Sequence, residues 1–98
     1  QEKLAKANMP THLLVDCSHG NCNKDYTRMH LAFRSVVDQR VVDGNMGIIG
    51  AMLESNIHPG NQKLNGGPAG LKYGVSITDS CIGWEETEVL LRQICERL

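Results

Sequence analysis

The sequence has no excess of charge of either sign, no hydrophobic run long enough for a membrane and no paired-cysteine motif. Ten Lys and Arg stand against eleven Asp and Glu, a formal net charge of −1. That balance excludes a strongly basic nucleic-acid-binding or anionic-membrane surface, so neither a nucleic-acid nor a membrane partner is expected. The longest apolar run, Met46 to Leu53, is eight residues and holds two Gly, far short of the about 20 residues a span needs. The opening, Gln1-Glu2-Lys3-Leu4-Ala5-Lys6, is polar and helix-forming rather than secretory, which leads to the expectation of a cytoplasmic protein. No Gly-x-Gly-x-x-Gly, Gly-Lys-Ser/Thr or Gly-x-Ser-x-Gly motif occurs, and no internal repeat. The common nucleotide-loop and serine-hydrolase signatures are therefore missing.

The four cysteines, Cys17, Cys22, Cys81 and Cys95, form no Cys-x-x-Cys pair. Cys17-Ser18-His19-Gly20-Asn21-Cys22 has a weak metal-cluster look, and one alternative for the chain is a non-catalytic metal-binding or interaction domain using Cys17, His19 and Cys22. The plainer reading is of small, buried, inert thiols in a reducing compartment.

What is present reads as α/β. Hydrophobic residues make up 41% and charged residues 21% of 98 positions, a globular composition of one domain's length. Residues 1–9 suggest the tail of a helix closed by Pro10. His12 to Asp16 is a short apolar run ending in a carboxylate, as a buried strand would be. From Lys24, apolar residues recur at three- and four-residue spacing through Tyr26, Met29, Phe33, Val36 and Val37, predicting a helix with Asn23 as N-cap and Asp43-Gly44-Asn45 as its stop. Gly47 to Leu53 is apolar throughout, the pattern of an interior parallel strand covered on both sides. Residues 55–75 carry five of the ten Gly and two of the three Pro, so a long loop is expected there; within it Asn65-Gly66-Gly67-Pro68 reads as a turn. A last helix from Trp84 would turn Trp84, Thr87, Leu91, Ile94 and Leu98 inward, with Leu90 at the flank. His30 is expected on the exposed side of its helix, and His58 in the loop.

The order helix, strand, helix, strand, loop, helix implies a parallel sheet. Two strands cannot bury themselves, and a (β/α)₈ barrel needs roughly 250 residues. Residues 1–98 are thus expected to be an incomplete domain, two β–α units of a larger sheet. Helix-like sequence at both ends and the lack of an initiator Met agree with a piece of a longer protein. Ligands gather at the carboxyl ends of parallel strands. There the first strand offers Asp16, Ser18 and His19, and the second Glu54 and Ser55. With neighbouring strands about 5 Å apart, His19 and Glu54 could meet one ion, and Ser76-Ile77-Thr78-Asp79 could return a second carboxylate. One nitrogen and two carboxylates suit Mn²⁺, Fe²⁺, Co²⁺ or Zn²⁺. The bland alternatives are a hydrogen-bonding loop His19, a Glu54 paired with Lys or Arg, and Asp79 capping a short turn.

Four ordered motifs add a resemblance. Leu14-Val15-Asp16-Cys17-Ser18-His19-Gly20-Asn21, Gly50-Ala51-Met52-Leu53-Glu54-Ser55, Gly60-Asn61-Gln62 and Tyr73-Gly74-Val75-Ser76-Ile77-Thr78-Asp79-Ser80-Cys81-Ile82-Gly83-Trp84-Glu85 together resemble the C-terminal part of the metal-dependent type I 3-deoxy-D-arabino-heptulosonate 7-phosphate (DAHP) synthases. The resemblance implies the last two β–α units of a (β/α)₈ TIM barrel. It implies a transferase of the aldolase type that condenses phosphoenolpyruvate with erythrose 4-phosphate, the first step of the shikimate pathway to the aromatic amino acids. It implies His19, Glu54 and Asp79 as metal ligands, His19 also beside phosphoenolpyruvate, and His19 and Asp79 as the catalytic residues. Two strands and their helices would leave open sheet edges and apolar faces on Phe33, Ile48, Ile49 and Met52 that the rest of the barrel would cover, so association into a homo-oligomer is expected. The family's fourth ligand, a Cys, and its phosphate-holding Arg and Lys lie in earlier parts of the barrel, so the 98 residues alone are expected to be inactive.

Overall fold

A computed structural model of the chain describes residues 1–64 and 67–98; part of the expected Asn65-to-Pro68 turn falls outside the described residues. The elements run α1 (Glu2–Lys6), β1 (Leu13–Asp16), α2 (Met29–Val41), β2 (Ile48–Met52) and α3 (Trp84–Arg97), with short 3₁₀ turns at Gly20–Cys22, Tyr26–Arg28 and Pro68–Gly70. β1 and β2 pair in parallel, Leu14 opposite Gly50 and Asp16 opposite Met52, with an irregularity between Leu13 and Leu14. The architecture is mixed α/β around a small parallel sheet. The apolar-to-polar switch at Asp16 and at Leu53-Glu54 ends the strands at the same level, which sets their polar ends side by side.

α2 starts five residues later than the periodicity from Lys24 suggested. Asn23 is left-handed at φ 54° and closes the Gly20–Cys22 turn, its N–H donating to Gly20 O, instead of opening α2. Asp25 caps the 3₁₀ turn Tyr26–Arg28 that leads into the helix: its side chain accepts from the Thr27 backbone N–H at 3.0 Å and from the Thr27 hydroxyl at 2.6 Å, whereas Arg28, at the start of α2 itself, makes no side-chain cap bond. A carboxylate at that position satisfies an orphan amide of the first turn. The helix then buries Met29, Phe33, Val36 and Val37, positions spaced to share one face, against Ile48, Ile82 and Leu90.

α3 corrects the expected face. Leu90 is 2% exposed and Thr87 is buried, whereas Trp84, Leu91 and Leu98 are all exposed. The stripe that meets α2 is Thr87–Leu90–Ile94, rotated from the heavier apolar stripe because Ile82, fully buried just before the helix, fixes its angle of approach. His30 is half-buried rather than on an open face, with Nδ1 3.7 Å from Glu86 of α3. β2 is covered on one side only: Ile48 is buried but Ile49 is 63% exposed, as is Leu14 on β1 at 65%. Phe33 and Ile48, expected to lie open, are buried at 5% and 4%. Cys17, Cys22 and Cys81 are buried thiols, as the plain reading had it; Cys95 is exposed.

The segment after β2 is a loop with its own frame. Ser55 bridges Ile82 in parallel and Gly60 bridges Cys81 antiparallel. Gly74 turns at φ +77°, and a Cβ there would lie 2.7 Å from the Ile57 Cβ, so only glycine lets the two limbs approach. His58 of this loop donates its backbone N–H to Gly74 O at 2.8 Å.

The two faces of α3 give a direct test. Leu90→Ala should destabilise the chain by about 2–4 kcal/mol, the ordinary cost of emptying a packed site. Leu91→Ala, on the exposed stripe, should cost less than about 1 kcal/mol. Urea midpoints of the two variants measure the difference, and equal losses would contradict this packing.

Candidate metal centre

The site is built on the strand ends. After Asp16, the chain reverses within Cys17 and Ser18, and the Cys17 N–H still reaches back to Met52 O at 2.9 Å, extending the pairing past β1. Ser18 is 3% exposed. Its hydroxyl accepts the Glu54 backbone N–H at 2.6 Å and lies 3.4 Å from the Met29 sulfur. A buried hydroxyl thus ties the end of β1 to the start of the turn after β2, and hence His19 to Glu54.

His19 is the hub. Its Nδ1 lies 2.7 Å from Asp16 Oδ2. Its Nε2 lies 3.3 Å from Glu54 Oε1 and 3.2 Å from Asp79 Oδ2. Asp16 is itself held: Oδ1 accepts the Ser18 N–H at 2.8 Å, and its carbonyl accepts from the Asn21 side chain at 2.7 Å. The Ser18 amide, with His19 beside it, lowers the Asp16 carboxyl below its usual value. The Asp16 hydrogen bond raises the His19 imidazole above its ordinary value, with Glu54 and Asp79 adding to the same effect.

Asp79 arrives from the long loop. The Asn61 amide donates to Thr78 O at 3.1 Å. The Gln62 amide donates to Lys72 O at 2.8 Å and to Val75 O at 3.0 Å, while its oxygen accepts the Lys72 N–H at 2.9 Å. Gly60-Asn61-Gln62 is therefore a clasp that fixes the segment carrying Asp79. It was visible in the sequence as a motif, without a signal for what it does.

Ligand-type atoms of His19, Glu54 and Asp79 lie within 4.8 Å of one another. Glu54 Oε2 is buried with no hydrogen-bond partner among the described residues. One imidazole nitrogen, two carboxylates and an orphaned buried carboxylate oxygen form a donor set that a divalent cation fits. Cys17 and Cys22 stay out of it: their thiols face the carbonyls of Val15 at 3.8 Å and His19 at 3.5 Å. Burial pushes the Cys17 thiol up to about 11, far from the thiolate that zinc takes.

With this geometry in place, similarity to known proteins is specific. The profile of the DAHP synthetase I family matches residues 1–92. The Tyr-sensitive phospho-2-dehydro-3-deoxyheptonate aldolase of Escherichia coli is 51% identical over 98 residues, all of this chain and 27% of that protein. The phenylalanine-inhibited enzyme of Saccharomyces cerevisiae is 45% identical over 86 residues, 86% of this chain and 23% of that protein. The solved structure of the Francisella tularensis aldolase of the same name superposes with a TM-score of 0.86 at 38% identity, over 98% of this chain and 27% of that one. The chain spans about a quarter of the length of the E. coli relative.

Two outcomes follow. Ser18→Ala strands the Glu54 amide in a buried position, and urea unfolding should show a loss of about 1–3 kcal/mol. The raised His19 value means that its pairing with Asp16 contributes stability fully present below 6.5 and lost as pH rises through the higher folded value. In metal-free protein, an imidazole NMR titration of His19 should have its midpoint above 6.5, and a midpoint at or below that would contradict the arrangement.

Proposed function

The chain belongs to the DAHP synthetase I family, and from that premise we propose that it is the C-terminal segment of a metal-dependent DAHP synthase, supplying the last two β–α units of a (β/α)₈ barrel. The single observation that carries the reading is the convergence of His19, Glu54 and Asp79 at adjacent parallel strand ends. That is where barrels and open α/β sheets place their chemistry.

In this reading the substrates are phosphoenolpyruvate and erythrose 4-phosphate. A bond forms from C3 of phosphoenolpyruvate to the aldehyde carbon, water adds at C2, and phosphate leaves. His19, Glu54 and Asp79 are the protein's ligands for a divalent ion (Mn²⁺, Fe²⁺, Co²⁺ or Zn²⁺). A bound ion supplies Lewis acidity toward the aldehyde or orients the attacking water. His19 presents Nε2 to the ion and lies beside phosphoenolpyruvate. Glu54 is fixed by its main chain through Ser18 and brings the second donor without a change of backbone. Asp79, with its side chain 55% exposed the most open of the three, is the group placed to pass a proton to or from water. A carboxylate sharing a cation is a weakened base, so its role is relay rather than strong deprotonation. The substrate phosphates require several charge-assisted donors, which the family's other segments would supply. The whole enzyme is expected to be a homo-oligomer acting in the cytoplasm.

In the full-length protein, chelation should abolish product formation and Mn²⁺ should restore it. Glu54→Gln and Asp79→Asn should each lower kcat by at least about 100-fold, the scale seen when one group stabilising a transition state is removed. Undiminished phosphate release by either variant would remove that residue from the site. The 98 residues alone should make no product, and metal-dependent turnover by them would show that the proposed division of labour is wrong.

A further inference from the structure

A metal-binding histidine has two nitrogens, and which one faces the ion depends on what holds the other. Here the holder is a side chain with no other assigned duty. We propose that Asp16 is the positioning residue of the centre, locking His19 with its hydrogen on Nδ1 so that Nε2 is committed to the ion between Glu54 and Asp79. The inference rests on the metal reading of the site.

The argument is stereochemical. An ionised carboxylate only accepts hydrogen bonds, so the 2.7 Å contact from His19 Nδ1 to Asp16 Oδ2 requires the hydrogen on Nδ1. Asp16 cannot swing away to release it. Its other oxygen is taken by the Ser18 N–H at 2.8 Å. Its main chain is held by the β1–β2 register and by the Asn21 amide on its carbonyl. The four residues from Asp16 to His19 thus form a closed loop in which the strand end dictates the imidazole's orientation. The contacts at Nε2, 3.3 Å to Glu54 and 3.2 Å to Asp79, are longer, as suits a nitrogen whose partner lies between those oxygens.

Asp16→Asn is the discriminating change, because it keeps size and shape. The Ser18 N–H needs an acceptor, so the amide must give its oxygen to Ser18 and turn its NH₂ toward His19 Nδ1. Two donors then face each other, and the Nδ1–H state is disfavoured. The experiment uses the full-length protein with isotope-labelled histidine, loaded with Zn²⁺ for NMR and titrated with Mn²⁺ for affinity. The unsubstituted protein should show a His19 Nδ1–H resonance protected from exchange, with ligation through Nε2. Asp16→Asn should lose that resonance and bind Mn²⁺ about 10- to 100-fold more weakly, the range for loss of such an outer partner. Asp16→Glu, which keeps an accepting carboxylate, should recover part of the affinity. An Asp16→Asn variant whose affinity stays within about twofold would overturn the inference. Ligation of the unsubstituted protein through Nδ1 would overturn it whether or not any variant folds. Failure of the unsubstituted protein to bind either ion would overturn the metal reading and this inference with it, a result distinct from the other two.

Discussion

The parallel pairing of β1 with β2 is the constraint from which the rest follows. Parallel strands point their carboxyl ends the same way, and the ladder here is carried beyond the strands by Cys17 N–H to Met52 O and by the Ser18 hydroxyl to the Glu54 amide. Those two bonds convert a sheet register into a site register. The same pairing demands a crossover, and α2 supplies it, burying Met29, Phe33, Val36 and Val37 on the way. Helix, sheet and site are therefore not independently placed: a slip of one residue in β2 would turn Glu54 away and unseat Ile48 together.

The parts of this arrangement legible in the sequence are those governed by short-range periodicity. An apolar run that stops at a carboxylate marks both strands, and a 3.6-residue repeat marks α2 and α3. The strand-end logic singles out His19, Glu54 and Asp79 before any coordinates, and the structure brings these three together. What was not legible depends on contacts distant in the chain. The inward face of α3 is chosen by the buried Ile82 and by Thr87, whose hydroxyl lies 2.6 Å from Ser55, and not by which stripe is more apolar. Asn23 does not cap α2 because a 3₁₀ turn, Tyr26–Arg28 with Asp25 as its cap, intervenes and has no hydrophobic period of its own. The loop of residues 55–75 looks structureless by composition, yet Gln62 satisfies three main-chain groups across it, a pattern that glycine and asparagine content cannot reveal. Asp16 was visible only as a carboxylate expensive to bury alone; its partner became evident once the turn at Ser18 was known.

The last step concerns charge. Asp16, Glu54 and Asp79 are three carboxylates around one imidazole, and the ion pairs of the described residues give them no Lys or Arg: Arg92 pairs with Glu88 and Arg97 with Asp38, both away from the strand ends. Glu54 and Asp79 repel one another across less than 5 Å. An imidazolium at His19 offsets part of that repulsion, and the Asp16 hydrogen bond first, with Glu54 and Asp79 after it, raises the imidazole above its ordinary value. It leaves Glu54 Oε2 unsatisfied all the same. In the proposed metal reading, a divalent cation held by His19, Glu54 and Asp79 would satisfy that oxygen and offset both carboxylates. Metal and proton would then compete for His19, and the Asp16 contact would favour both, since it makes the imidazole a better base and a better ligand. The balance between them would be set by geometry, because Glu54 and Asp79 are held by Ser18 and by the Asn61–Gln62 clasp with ligand-type atoms within 4.8 Å of one another and of His19. The turn after each strand thus supplies a donor together with the local hydrogen bond that aims it.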